Sequence, residues 1–122
     1  MYRIKEFASL CNCSVYTLRY YDQIGLLKPT VVAHESGYRY YAKEQIQDYM
    51  RIKELQEIGF QVQEIKEMIE FDEYQIVCCI LKKIDVLQHR FEKSIQIMSR
   101  YMEEGRKESR LVISKTIGGE IE

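Results

Sequence analysis

The sequence has little of what marks a membrane, secreted or metal-binding protein. Its 122 residues include one proline, two histidines, four cysteines and no tryptophan, and no apolar run approaches the ~18 residues of a membrane span. The first seven residues already carry three charges, unlike a signal peptide. Neither cysteine pair, Cys11 with Cys13 or Cys78 with Cys79, has the spacing of a zinc ribbon. We therefore expect a cytoplasmic protein without a membrane span, a disulfide framework or a metal cofactor.

Charge averaged over the chain is also uninformative, because 18 basic and 19 acidic residues leave a net charge of -1. Residues 1–53 hold eight basic and five acidic side chains, a local charge of +3. That is a weak version of the positive surface that binds nucleic acid. The sequence shows no nucleophile–base pair, no set of metal ligands and no phosphate-binding glycine loop, so we expect a protein that is not an enzyme.

Hydrophobic periodicity predicts two short helices joined by a tight turn at the start of the chain. One face of the first helix carries apolar residues at helical spacing: Ile4, Phe7, Ala8 and Cys11. Ser14 is a good N-cap for a second helix over residues 15–24, and Gly25 stands where a glycine ends such a helix. Two helices in this arrangement are typical of a helix-turn-helix.

The character of the chain changes between residues 30 and 41, where β-branched and aromatic residues flank Ser36-Gly37. This pattern predicts a short hairpin, and hence a wing. Two more helices are predicted, from about residue 43 to 58 and from 62 to 71. Residues 1–71 are therefore expected to form a small, mostly helical head.

A long helix is predicted after the head, over residues 75–104, with apolar residues at alternating steps of three and four. The stripe consists of Val77, Ile80, Ile84, Leu87, Phe91, Ser94, Met98 and Tyr101. Such a helix is ~45 Å long and extends beyond the small head, so the head cannot cover the whole apolar stripe. The stripe therefore favours a partner helix, most simply the same helix of a second subunit. The alternative is a helix that folds back on its own head. We interpret residues 72–105 as a dimerisation segment ending near Gly105. Residues 106–122 are interpreted as a short tail in which Leu111-Val112-Ile113 looks like a first strand.

The candidate DNA-binding residues lie on the second helix and the hairpin. They are Tyr16, Thr17, Arg19, Tyr20, Tyr21, Tyr38, Arg39 and Tyr40. A helix of this length fits the major groove, arginine bonds phosphate or guanine, and tyrosine hydroxyls reach phosphates. Eight of the ten tyrosines lie in the first 49 residues, but tyrosines are often half-buried core residues. Residue types alone leave both interpretations open.

These motifs together resemble the N-terminal half of the MerR family of bacterial transcription regulators. The resemblance covers about 70 residues and is carried by Tyr2-Arg3-Ile4, Ser14, Leu18-Arg19-Tyr20-Tyr21, Gly25-Leu26-Leu27-Lys28-Pro29, Gly37-Tyr38-Arg39-Tyr40-Tyr41, Leu55, Gly59-Phe60 and Glu64-Ile65. It implies a winged helix-turn-helix head, an antiparallel coiled-coil homodimer and pseudo-palindromic promoter DNA as the ligand. It further implies distortion of the promoter spacer, RNA polymerase as a partner and a response to an effector.

Several positions depart from the family pattern. Tyr16 replaces a frequent basic residue, and Ala42 and Gln61 replace the serines that usually cap the third and fourth helices. Metal-sensing relatives add cysteines after the long helix, which this chain does not have, so Cys78 and Cys79 are expected to pack as small apolar residues. The chain stops where drug-sensing relatives continue, so it is either a fragment or a naturally short regulator. A protein-interaction module that does not bind DNA is the alternative function.

Overall fold

A computed structural model describes the backbone of residues 1–121 and the side chains of residues 1–110. The chain divides into two packed units, residues 1–77 and residues from 78 onward. The elements are β1 (Tyr2–Arg3), α1 (Ile4–Cys11), α2 (Val15–Gln23), β2 (Val31–Val32), β3 (Arg39–Tyr41), α3 (Gln45–Glu57), α4 (Val62–Met68) and α5 (Glu73–Ile121). This confirms the predicted mostly helical class with a small wing and a long C-terminal helix.

The turn between α1 and α2 forms as its residues predict. Asn12 adopts a left-handed conformation with φ 55°, which reverses the chain after α1. The Ser14 hydroxyl then accepts a hydrogen bond from the Thr17 backbone N–H at 3.0 Å and caps α2. Gly25, with φ +79°, carries the chain away from the end of α2. The helix-turn-helix therefore follows from signals that are local in sequence.

The sheet has three strands in the order β1-β3-β2, and both pairs are antiparallel. Tyr2 pairs with Tyr41 and Arg3 with Tyr40, while Val31 pairs with Tyr40 on the other side of β3. The hairpin of β2 and β3 is the predicted wing. Strand β1 was not predicted, because two residues are too short to show an alternating pattern. It joins the start of the chain to the wing.

Apolar side chains from α1, α2, α3, α4 and β3 form most of the core of the head. The largest fully buried side chains are Phe7, Leu18, Tyr41, Ile52 and Ile65. The rings of Phe7 and Tyr41 stack with their centroids 4.5 Å apart, which packs α1 directly on the wing strand.

At Ala42 and Gln61, where the sequence lacks a serine cap, a side chain from the start of the following helix bonds back to the preceding backbone. Gln45 Oε1 accepts a hydrogen bond from the Ala42 backbone N–H at 2.8 Å, and Glu64 accepts one from the Gln61 backbone N–H at 3.0 Å. Helix α3 starts two residues later than predicted, and α4 ends at Met68 rather than at residue 71. The expected loss of capping is therefore partly compensated.

Helix α5 spans 49 residues and passes through Gly105 without a break. The predicted helix end near Gly105 and the predicted strand at residues 111–113 are therefore wrong. A solvent-exposed glycine costs a helix only about 1 kcal/mol, and the charged helix formers on both sides of Gly105 continue the helix. Residue 122, the last of the predicted tail, lies outside the described residues. Within those that are described, no helix is long and apolar enough to span a membrane.

Candidate nucleic-acid interface

Helix α2 presents four of the eight predicted contact residues toward solvent or half-buried at the surface. Tyr16 is 80% exposed, Tyr20 is 44% exposed, and Arg19 is exposed between them. Thr17 is half-buried, and its hydroxyl lies 2.9 Å from the Ser14 hydroxyl. These side chains present two phenol rings, a guanidinium and a hydroxyl along one short helix.

Tyr21 was predicted as a DNA contact, but the structure places it in the core. Only 5% of it is exposed, and its hydroxyl donates a hydrogen bond to Gln56 Oε1 on α3 at 3.1 Å. Burial raises the pKa of the Tyr21 phenol, and the bond to Gln56 acts in the opposite direction. A buried hydroxyl with a protein partner has no role on a DNA surface, so we correct the prediction and remove Tyr21 from the interface.

Asp22, near the end of α2, joins that helix to the wing. Its carboxylate accepts a hydrogen bond from Arg39 Nε at 2.9 Å, and its second oxygen lies 3.8 Å from Lys28 Nζ. The Asp22 side chain is 18% exposed, so solvent screens this ion pair less than one on an open surface. The wing residue Arg39 is thereby held against α2, while Tyr38 is exposed and Tyr40 half-buried beside it.

A positively charged groove opens where β1, α1, α2 and the wing meet. Its volume is about 430 Å³, and it is lined by Arg3, Ile4, Lys5, Glu6, Arg19, Tyr38 and Arg39. The guanidinium carbon of Arg3 lies 3.8 Å from the centre of the Tyr38 ring, a cation–π contact. Arg3 and Lys5 were not predicted as contact residues, because only the pairing of β1 with β3 brings the first residues beside the wing.

The thiols of the head are structural. Cys11 is buried, and burial raises its pKa to about 11, with a smaller contribution from Cys13. Cys13 is half-buried, and its pKa is also raised, by burial above all. Both thiols therefore stay protonated at neutral pH and are poor nucleophiles. Among the described residues, no group of three or more potential ligands is placed to hold a metal ion.

Helix α5, taken by itself, leaves most of its predicted apolar stripe uncovered. Phe91 is 66% exposed, Tyr101 63% and Met98 54%, and Ile84, Leu87 and Val77 are also exposed. Ile80 is half-buried. A second row of exposed apolar side chains was not predicted. Each of its members comes one residue after a member of the stripe; they are Leu81, Ile95 and Met102. The uncovered apolar face is therefore wider than a single row.

Comparison with known proteins identifies relatives of this chain. Residues 2–72 match the model of a protein family that is described as MerR HTH family regulatory protein. The HTH-type transcriptional regulator YyaN of Bacillus subtilis is 35% identical over 97% of this chain and 87% of its own length. The HTH-type transcriptional activator mta of the same organism is 30% identical over 81% of this chain, and the match covers only 39% of mta.

Solved structures share the fold. The N-terminal part of the Bacillus subtilis multidrug transporter activator, MtaN, matches with a TM-score of 0.71 and 30% identity over 84% of this chain and 98% of that one. EcmrR, in the EcmrR–DNA complex of EcmrR-RPo, matches with a TM-score of 0.70 and 26% identity over 87% of this chain and 40% of that one. The match to the family model covers more than half of the chain. The relatives named above are transcription regulators rather than enzymes. The chain belongs to the MerR family of bacterial helix-turn-helix transcription regulators.

Proposed function

We propose that this protein binds promoter DNA as a homodimer and activates transcription in response to an effector. The observation that carries the proposal is the exposed face of α2 beside a groove lined by four basic side chains and one acidic one. The major groove of DNA admits an α-helix, and arginine makes bidentate bonds to guanine or phosphate. In this proposal, Tyr16, Thr17, Arg19 and Tyr20 enter the major groove.

The wing completes the proposed interface on the DNA backbone. The Arg39 Nε is engaged by Asp22, but 40% of the Arg39 side chain is exposed to solvent. Tyr38 and Tyr40 stand on either side of it in sequence and offer hydroxyls for phosphate oxygens. Contacts on both the groove and the flanking backbone would set the orientation of α2.

The proposed dimer forms through α5. Burying one large apolar side chain contributes about 1.5–3 kcal/mol, and the stripe defined above holds several that are exposed in the single chain. A second α5, related by a two-fold axis, presents the same stripe and can cover it in an antiparallel pair. A two-fold protein matches a pseudo-palindromic operator, since each head meets one half-site.

Distortion of the promoter spacer and contact with RNA polymerase extend the proposal. They are supported by the EcmrR structure, which is a DNA complex within EcmrR-RPo. Bending a site of 20–30 base pairs costs of order 1–6 kcal/mol, which backbone contacts from two heads can supply. Run-off transcription tests this step: the dimer should stimulate a promoter with a long spacer and not one shortened by about two base pairs. Equal stimulation of both would contradict distortion.

The DNA-binding step is tested by selecting duplex fragments with the purified protein and measuring their affinity across a salt series. Arg19→Ala should weaken binding at least tenfold and leave the far-ultraviolet circular dichroism unchanged. Lys82→Ala is the matched control, because it removes one positive charge from an exposed position on α5. Affinity that neither depends on salt nor changes with Arg19→Ala would favour the protein-interaction module instead, because phosphate contacts release counterions.

The dimer is tested by light scattering during gel filtration. Phe91→Glu places a charge in the exposed stripe and should convert dimers to monomers. His89→Glu is the matched control, since His89 is also exposed but lies on the other side of the helix. A monomeric wild-type chain, or a Phe91→Glu variant that remains dimeric, would contradict the proposed interface.

A further inference from the structure

We propose that Arg3 and Lys5, at the very start of the chain, complete a clamp for one backbone phosphate of the bound DNA. The clamp is the groove already described, in which Arg19 and Arg39 are the other two basic side chains. The inference rests on the proposed DNA-binding function and deepens it, because it assigns phosphate binding to Arg3 on β1 and to Lys5 in the first turn of α1, outside α2 and the wing.

The charge of the groove points to an anionic ligand. Four basic side chains line it against one carboxylate, that of Glu6, although the whole chain carries a net charge of -1. Of the four converging charges, those of Arg3, Lys5 and Arg19 have no salt-bridge partner among the residues whose side chains are described. Because like charges repel one another, the arrangement gains stability when an anion enters.

Two of the four side chains are already held in place. Arg3 lies over the Tyr38 ring at 3.8 Å, and Arg39 is bonded through Nε to Asp22 at 2.9 Å. The bond of Arg39 is made by Nε and not by the terminal nitrogens of the guanidinium, which are the donors that suit a phosphate. Because their positions are fixed before binding, these arginines lose little side-chain entropy when a phosphate arrives.

The position of the groove points to the DNA backbone rather than to a base. It lies between the recognition helix and the wing, and a volume of about 430 Å³ admits a phosphodiester with its neighbouring sugars. Phosphate contacts fix the register of a protein on DNA but carry no sequence information. Losing them should therefore weaken every sequence equally and leave the selected operator unchanged.

The test measures DNA affinity for Arg3→Gln and Lys5→Gln across a salt series, with Lys82→Gln as the matched control. Each groove variant should lose about tenfold in affinity per half-site at 0.1 M salt. The slope of the logarithm of the binding constant against the logarithm of the salt concentration should become shallower by about 2 for the dimer, because each of the two grooves loses one phosphate contact. Glu6→Gln removes the single acidic group of the groove and should tighten binding. Circular dichroism and the oligomeric state should match the wild type in all variants.

The outcomes separate this inference from the proposed function. If the wild type binds DNA with a salt-dependent affinity that Arg3→Gln and Lys5→Gln leave unchanged, the clamp is refuted and the DNA-binding proposal stands. A wild type that binds no duplex refutes both. A titration with sodium pyrophosphate tests for a free anion: pyrophosphate binding that is lost in both variants while DNA affinity is kept would overturn the assignment to DNA.

Discussion

Replacing Tyr41 by phenylalanine should stabilise the head. The Tyr41 side chain is fully buried, and no group among the described residues forms a hydrogen bond with its hydroxyl. A buried hydroxyl without a partner costs about 1–3 kcal/mol. Phenylalanine keeps the ring that stacks on Phe7 and removes only the oxygen. Allowing for the small void that remains, we expect the free energy of unfolding to rise by about 1 kcal/mol.

The measurement is urea denaturation followed by circular dichroism at pH 7, supported by a thermal melt in which the midpoint should rise by about 4 °C. Tyr20→Phe is the control, because it removes the same hydroxyl from a tyrosine that is 44% exposed. If Tyr41→Phe lowers the free energy of unfolding by more than about 0.5 kcal/mol, its hydroxyl has a partner and the reasoning fails.

The same substitution should change the response to alkaline pH. Burial raises the pKa of the Tyr41 phenol from 10.0 to about 12, and the neighbouring Asp22 charge acts in the same direction. The folded state therefore keeps this proton at a pH where the unfolded chain has lost it. Ionisation of Tyr41 therefore has no effect on the free energy of unfolding below pH 10, and lowers it progressively as the pH rises toward 12. Tyr41→Phe should flatten the decline above pH 10; identical slopes in the two proteins would contradict this.

Three further substitutions test other parts of the head. Ser14→Ala removes the oxygen that caps α2 through the Thr17 N–H, and should lower the free energy of unfolding by about 1 kcal/mol in urea melts. Gly25→Ala forces a side chain onto a residue with φ +79° and should lower the free energy of unfolding by about 1 kcal/mol or more. Gly105→Ala is the control within a helix and is expected to be stabilising. Tyr21→Phe loses the bond to Gln56, so we expect about 1 kcal/mol less stability but DNA affinity within about twofold of the wild type; a large loss of affinity in a folded variant would return Tyr21 to the interface.

The sequence predicted the helix-turn-helix well because its determinants are local. The Ser14 cap, the turn after α1 and the positive φ at Gly25 each depend on a few neighbouring residues. The hairpin turn at Gly37, with φ +71°, is equally local. Such signals act before any tertiary contact forms, so they can be identified from the sequence without knowing the fold.

Which side of α2 faces the core was harder to predict, because it depends on residues far away in sequence. Tyr20 and Tyr21 are adjacent in one motif, yet they point about 100° apart around the helix. Tyr21 is buried in the core, and Gln56, 35 residues later, supplies the acceptor that its hydroxyl needs there. The end of α5 was misjudged for the opposite reason: the propensity of Gly105 was given more weight than the strong helix formers on both sides of it.

The groove shows why net charge is a poor guide to what a protein binds. A sum over the sequence cancels Arg3 and Lys5 against acidic residues elsewhere, whereas an approaching anion interacts mainly with charges within about one Debye length, ~8–10 Å. The pairing of Arg3 with Tyr40 in the sheet brings the chain's first basic residues beside Arg39 on the wing. A backbone hydrogen-bond register, and not an excess of basic residues, therefore brings four basic side chains together in this groove.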